Sequence, residues 1–148
     1  MAGEDIHEAT CGCGGLRVTT VGEPDLVIAC SCIACQRRTG SPFGVGAYFK
    51  KERVSAEGEG RVFTRVADSG LEVSIRFCPD CGNSVYWFAA LRPDHYGVAV
   101  GCFGEPGLLE PGRVVWNESK HPWVAFPEGI AVFDKGSPLP KAEPPKTE

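Results

Sequence analysis

The sequence predicts an all-β protein, and three observations support this fold class. Apolar and polar residues alternate in segments such as "LEVSIRF" at residues 71–77, which is the period of a half-buried strand. Short apolar or aromatic runs, bounded by Gly, Pro, Asp or Asn, follow one another at roughly ten-residue spacing, as in sandwiches and barrels. The chain also carries 19 glycines and 12 prolines, which favour many turns over long helices. We therefore expect two curved β-sheets.

Each predicted strand is a short run with alternating, β-branched or aromatic residues. In chain order the runs are "LRVTTV" (16–21), "DLVIAC" (25–30), "GVGAYF" (44–49), "RVFTRV" (61–66), "LEVSIRF" (71–77), "SVYWFAA" (84–90), "YGVAVGCF" (96–103), "RVVW" (113–116) and "GIAVF" (129–133). One helical piece of about one to two turns is predicted near "ACQRRTG" at residues 34–40. The segment before Cys11, which includes His7, is expected to be a mobile arm.

The chain is expected to form a single folded domain over residues 1–135. The remaining segment, 136–148, reads "GSPLPKAEPPKTE" and contains four prolines and one large apolar residue, Leu139. Such a segment cannot bury enough apolar surface to offset its ordering entropy. We expect a disordered C-terminal tail.

Composition excludes several functional classes. The formal net charge of −4 shows no basic excess, so a nucleic-acid partner is not indicated. No apolar run approaches the roughly 18 residues that a membrane span needs, and the first ten residues lack a signal-peptide core. We therefore expect a cytoplasmic protein, and its eight cysteines then favour metal binding over disulfides.

The clearest local motif is "FCPDCGN", in which Cys78 and Cys81 can face a single metal ion. A thioredoxin-like redox pair would require a strand before the motif and a helix after it, whereas strands are predicted on both sides. Two further ligands are needed, and "CGCGG" supplies Cys11 and Cys13, which share a face at i and i+2. The expected result is a structural zinc site that joins the N-terminal segment to a central hairpin.

Three cysteines remain in "ACSCIACQRRTG": Cys30, Cys32 and Cys35. Three protein ligands and one open position are typical of a catalytic zinc site. Neighbouring Arg37 and Arg38 either offset the thiolate charge and attract an anionic ligand or are plain surface charges. In the alternative interpretation Cys102 closes the site, both zinc sites are structural, and the protein has no catalytic centre.

The ordered set of motifs resembles the glutathione-dependent formaldehyde-activating (GFA) enzyme family. The set is C-x-C, C-x-C-x-x-C followed by "QRRTG", "FCPDCG", "VGCFGEP" and a late "HPW", from about Cys11 to Phe126. Two positions depart from the family pattern, because Ser31 stands where members often have histidine and Gly104 stands at an expected acidic position. The resemblance implies a β-tent fold of several coiled sheets. It also implies a structural zinc at Cys11, Cys13, Cys78 and Cys81, and a catalytic-type zinc at Cys30, Cys32 and Cys35.

The activity implied by the resemblance is that of a carbon–sulfur lyase. Its partners would be a small thiol such as glutathione and a small aldehyde, formaldehyde in the family's name, joined as S-hydroxymethylglutathione. His95 and His121 have the right chemistry for proton transfer, although each is more often an ordinary loop residue. Two other functions stay open: a non-catalytic zinc module that carries a thiol or contacts another protein, and a thiol redox sensor.

Overall fold

Two β-sheets make up most of the described part of the chain, which is residues 4–137 of this computed structural model. The strands are β1 (Ile6–Thr10), β2 (Arg17–Val21), β3 (Leu26–Cys30), β4 (Gly44–Lys50), β5 (Val54–Glu57), β6 (Arg61–Val66), β7 (Glu72–Phe77), β8 (Ser84–Ala89), β9 (His95–Ala99), β10 (Arg113–Val115) and β11 (Ala131–Val132). The helix α1 spans Ile33–Thr39, and 3-10 turns occur at Lys51–Arg53, Val100–Phe103 and Asn117–Ser119. The prediction of an all-β protein with only short helical pieces is confirmed.

The two sheets differ in size and in strand direction. The small sheet has the order β1-β2-β5 and is antiparallel throughout. The large sheet has the order β11-β10-β3-β4-β9-β8-β7-β6. Within it β10 lies parallel to both β3 and β11, whereas the other neighbouring strands are antiparallel. The parallel pairing places residues 113–115 beside the cysteine at the end of β3.

The hydrophobic core lies between the small sheet and one face of the large sheet. Val18 of the small sheet and Val85 and Val98 of the large sheet are fully buried in one cluster. On β4, Ala47 and Phe49 face this core. Since side chains alternate along a strand, the residues between them, Gly46 and Tyr48, face the opposite side of the large sheet.

Three details of the strand prediction were wrong. The expected mobile arm is β1, in which Ala9 is buried and His7 lies opposite Thr20 of β2. The strand β5 was missed because "VSAE" has only four residues and one large apolar side chain, Val54, which is too short a pattern to stand out. The strand predicted to run to residue 103 ends at Ala99, since the chain turns into a 3-10 segment that closes at Gly104 in the left-handed conformation (φ 69°).

The end of the chain falls only partly within the described range. The Arg113 guanidinium donates a hydrogen bond to the Ser137 hydroxyl at 3.2 Å, so the last described residues pack beside β10. The remainder of the expected tail, 138–148, lies outside the described residues. Among the residues that are described, no helix is long and apolar enough to cross a bilayer, and α1 has only seven residues.

Candidate metal centres and the adjoining cleft

The first cysteine group joins the two sheets. Cys11 and Cys13 follow β1, and Cys78 and Cys81 follow β7. Their four sulfurs all lie within 4.8 Å of one another, with Cys13 Sγ 3.5 Å from Cys78 Sγ. This spacing suits four thiolates around one ion. The structure thus brings together the four residues that the spacing paired.

Backbone groups hold the two cysteine loops in place. The Leu16 N–H donates to Cys11 Sγ at 3.2 Å, the kind of bond that stabilises a thiolate. Gly82 adopts a left-handed conformation (φ 79°), and its N–H donates to the Cys78 carbonyl at 2.8 Å, which closes the turn that carries Cys78 and Cys81. Asn83 connects the two loops, because its Oδ1 accepts a hydrogen bond from the Gly12 N–H at 2.6 Å.

The second group forms where β3 passes into α1. Cys30 ends the strand, Cys32 is the N-cap of the helix, and Cys35 lies in the first helical turn. The Cys35 N–H donates to Cys32 Sγ at 3.3 Å, so a thiol takes the place of the usual N-cap hydroxyl or carboxylate. The three sulfurs lie within 4.8 Å of one another.

The charges of these three thiols depend on one another. Hydrogen bonds from Cys30, and then from Cys35, lower the pKa of Cys32 to about 2. The hydrogen bond between Cys30 and Cys32, then the one with Cys35, and then burial all raise the pKa of Cys30. One thiolate is therefore favoured while its neighbours keep their protons, and a cation is needed before all three can ionise. Soft thiolate donors match zinc, so both cysteine groups could hold metal ions.

Cys102 belongs to neither group. It lies in the 3-10 turn after β9, and its Sγ is 3.6 Å from the Ser84 carbonyl oxygen, a partner in the protein backbone. Burial raises the pKa of its thiol. The position suits a small, partly buried apolar side chain.

The three-cysteine group opens onto a cleft of about 480 Å³, within the range of roughly 300–1,000 Å³ typical of small-molecule sites. The floor is the face of the large sheet that points away from the core, with Gly44, Gly46 and Tyr48 from β4 and Trp87 from β8. Four cationic and two acidic side chains line the walls: Arg38, Arg65, Arg92, Lys135, Asp68 and Glu72. The cleft is therefore apolar at its floor and mostly cationic at its walls.

Trp87 organises the centre of the floor. Its indole lies against Gly97, where any Cβ would overlap Nε1, and a Cβ on Gly46 would lie only 2.5 Å from Cζ2. The Arg38 guanidinium covers the ring, 4.8 Å from its centroid. Trp87 thus lines the cleft, as does Arg38 of the arginine pair.

Neither candidate histidine lines the cleft. His95 Nε2 lies 2.8 Å from Asp25 Oδ2, and His121 Nε2 lies 2.8 Å from Gln36 Oε1. Sequence reasoning missed Tyr48, Arg65 and Arg92, which come from β4, β6 and the loop after β8. Tyr48 carried a usable signal, since in "GVGAYF" it shares a face with two glycines.

The fold and the site define an all-β protein with two cysteine groups that could each hold a metal ion, one of them beside a cleft. The sequence model of the family described as "Glutathione-dependent formaldehyde-activating enzyme" matches residues 6–119, a range that includes all eight cysteines. The chain belongs to this family, and the predicted resemblance is confirmed.

Two further comparisons add information on the fold. None of the curated proteins matches the chain significantly. The crystal structure of a Rhodobacter sphaeroides protein, solved as a Northeast Structural Genomics target, is similar with a TM-score of 0.50. The two sequences are 21% identical, and the alignment covers 69% of this chain and 90% of that one. This likeness concerns the fold alone.

Proposed function

We propose that the protein forms or breaks the adduct of a thiol with a small aldehyde, such as S-hydroxymethylglutathione, at the group of Cys30, Cys32 and Cys35. The observation that carries this proposal is that these three thiols, with no fourth cysteine among them, border a cleft of about 480 Å³. Membership of the family provides the reaction class. Carbon–sulfur lyase activity follows as the proposed class of enzyme.

The proposed assignment of the seven cysteines gives two zinc ions with different roles. Cys11, Cys13, Cys78 and Cys81 would hold a structural ion, and the three-cysteine group would hold an ion with one exchangeable position. When bound there, zinc supplies a positive charge that lowers the pKa of an incoming thiol. Cys102 would remain a core thiol.

The cleft walls fit an anionic thiol peptide. Glutathione carries two carboxylates and one ammonium group at neutral pH, and the cleft offers four cationic and two acidic side chains. Arg38 lies close to the cysteines, since a Cβ built on Gly44 would be 2.7 Å from Arg38 Nη2 and 3.6 Å from Cys35 Cβ. Holding thiol and aldehyde together in the cleft supplies proximity.

The proposal is tested by exchange NMR on glutathione mixed with formaldehyde, in which the rate of adduct formation is measured with and without zinc-loaded protein. We expect acceleration above the uncatalysed exchange, and its loss in Cys35→Ala. A wild-type rate equal to the background would reject the enzyme. If glutathione still bound to that protein, the non-catalytic thiol-carrying module would be the better account.

Two neighbouring arginines provide a matched comparison in the same assay. Arg38 lines the cleft and Arg37 does not. Arg38→Gln is expected to weaken glutathione binding about tenfold, the order of one charge-assisted hydrogen bond. The effect should be smaller at high salt, because salt screens the charge. Arg37→Gln is expected to behave as wild type. Equal effects of the two substitutions on glutathione binding would show that Arg38 does not contribute to binding from the cleft wall.

A further inference from the structure

Tyr48 is part of the cleft floor, in the same cleft that the three cysteines border. It lies on β4, two residues from Gly46 and four from Gly44, and all three residues line the cleft. A Cβ on Gly46 would meet Tyr48 Cε2 at 3.4 Å. The ring therefore leans back along its strand, towards the end of β4 where Gly44 pairs with Cys30.

The Tyr48 hydroxyl oxygen accepts a hydrogen bond, and its proton is not used in that bond. Trp87 Nε1 donates to Tyr48 Oη at 3.2 Å, and the two rings meet edge to face with centroids 6.3 Å apart. Within residues 4–137 this is the only hydrogen bond at that oxygen. Since Trp87 has only a donor to offer, the phenolic proton remains available to an acceptor in the cleft.

The surroundings keep the phenol protonated and also tolerate charge on it. Burial raises the pKa of Tyr48, while the hydrogen bond from Trp87 and the charge of Arg92 act in the opposite direction. The Arg92 guanidinium lies over the ring, 5.4 Å from its centroid. At neutral pH the residue is thus a donor, beside a cation that stabilises negative charge on its oxygen.

We propose that Tyr48 is a catalytic residue that donates its hydroxyl proton to the aldehyde oxygen as the carbon–sulfur bond forms, a role that rests on the proposed function. The thiolate sulfur attacks the carbonyl carbon, the C=O π electrons move to oxygen, and that oxygen takes the Tyr48 proton. The phenolate then regains a proton from solvent, which balances the proton that the thiol released on binding. In the reverse direction Tyr48 accepts the hydroxyl proton as the carbon–sulfur bond breaks.

A binding experiment tests the donor role without turnover. S-(2-hydroxyethyl)glutathione and S-propylglutathione differ in a hydroxyl against a methyl group, and calorimetry gives the ratio of their Kd values on zinc-loaded protein. We expect Tyr48→Phe to reduce the preference for the hydroxyl ligand about fivefold, the order of one neutral hydrogen bond. Tyr96→Phe, which removes a hydroxyl outside the cleft, should leave the ratio unchanged. An unchanged ratio in Tyr48→Phe, or no binding of either ligand, would overturn the role.

Failure of this role can be told apart from failure of the proposed function. If the hydroxyl preference depends on Tyr48 but wild type does not accelerate adduct formation, Tyr48 binds the ligand oxygen and the lyase activity is wrong. If wild type accelerates the reaction and Tyr48→Phe is as fast, with an unchanged Kd ratio, the lyase activity stands and the Tyr48 role is wrong.

A second measurement covers the case in which Tyr48→Phe does not fold. The chain has three tyrosines, Tyr48, Tyr86 and Tyr96, which can all be replaced by 3-fluorotyrosine. Single phenylalanine variants of Tyr86 and Tyr96 assign the fluorine signals. We expect the Tyr48 signal to shift more with the hydroxyethyl ligand than with the propyl ligand. Equal shifts would contradict a hydrogen bond from Tyr48.

Discussion

Two glycines determine how the cleft floor is built at the scale of single residues. Gly46 and Gly97 lie on neighbouring strands, β4 and β9, and together leave the space that the Trp87 indole occupies. Their importance comes from the missing Cβ, because any side chain there would displace the ring that holds the Tyr48 hydroxyl. The cleft therefore depends on backbone positions that carry no functional group.

Gly97→Ala is expected to destabilise the protein by about 1–3 kcal/mol, the usual cost of overpacking. Its Cβ would overlap Trp87 Nε1, and the neighbouring strand prevents the backbone from moving away. Gly101→Ala is the matched control, since nothing lies within 4 Å of a Cβ at that position. Urea unfolding of both variants measures the difference. If the two substitutions lower the unfolding free energy equally, the Trp87 indole is not tightly packed against Gly97.

Single residues were predictable where the chemistry is local in sequence. The seven proposed ligands follow from C-x-C and C-x-x-C spacings, because such gaps place sulfurs side by side whatever surrounds them. Tyr48, Arg65 and Arg92 reach the cleft from separate strands and loops. No spacing in the sequence relates these three, so their convergence required the strand pairing.

At the scale of elements, the junction of β3 and α1 explains how three cysteines come together at one point. Cys30 and Cys32 are two positions apart, with Ser31 between them, so an extended chain places them on one face, and the helical turn then returns Cys35 to the same point. The helix ends at Gly40 in the left-handed conformation, with its N–H donating to the Gln36 carbonyl. The sequence predicted this helix correctly because its stop signal lies within the motif.

The two cysteine groups are expected to contribute very differently to stability. The first group bridges loops that are 65 residues apart at Cys13 and Cys78, whereas the second closes only the segment 30–35. A cross-link stabilises more when it closes a longer loop, by about 2–4 kcal/mol in the range of long loops. The double variant Cys78→Ala/Cys81→Ala, which leaves only two cysteines of the first group, should therefore have a far lower unfolding free energy than Cys35→Ala.

Urea unfolding of both variants, each with zinc and with a chelator, checks this difference. Chelation should destabilise Cys35→Ala strongly, because that variant keeps the bridging ion, and should change the double variant Cys78→Ala/Cys81→Ala little, because only two cysteines of the first group remain in it. Equal unfolding free energies for the two zinc-loaded variants would contradict the division into a structural and an open site.

At the scale of the whole molecule, the two faces of the large sheet differ: one packs in the hydrophobic core and the other forms the cleft floor. One face packs on the small sheet around Val18, Val85 and Val98, and the other face carries the cleft. The fold class was predictable because period-two alternation is a local property. The strand order was not predictable, since the parallel pairing of β10 with β3 joins residues about 85 positions apart. In addition, β1 lacks alternation and β5 is only four residues long.

The central claim is that the group of Cys30, Cys32 and Cys35 holds an ion with a position left for a thiol, and native mass spectrometry tests it most directly. The zinc content of each chain is measured in wild type, Cys102→Ala and Cys35→Ala, with and without glutathione. We expect two zinc ions in wild type and Cys102→Ala, one in Cys35→Ala, and bound glutathione only in the first two. One zinc in Cys102→Ala, with no glutathione bound to any form, would show that the site is closed and would contradict the account.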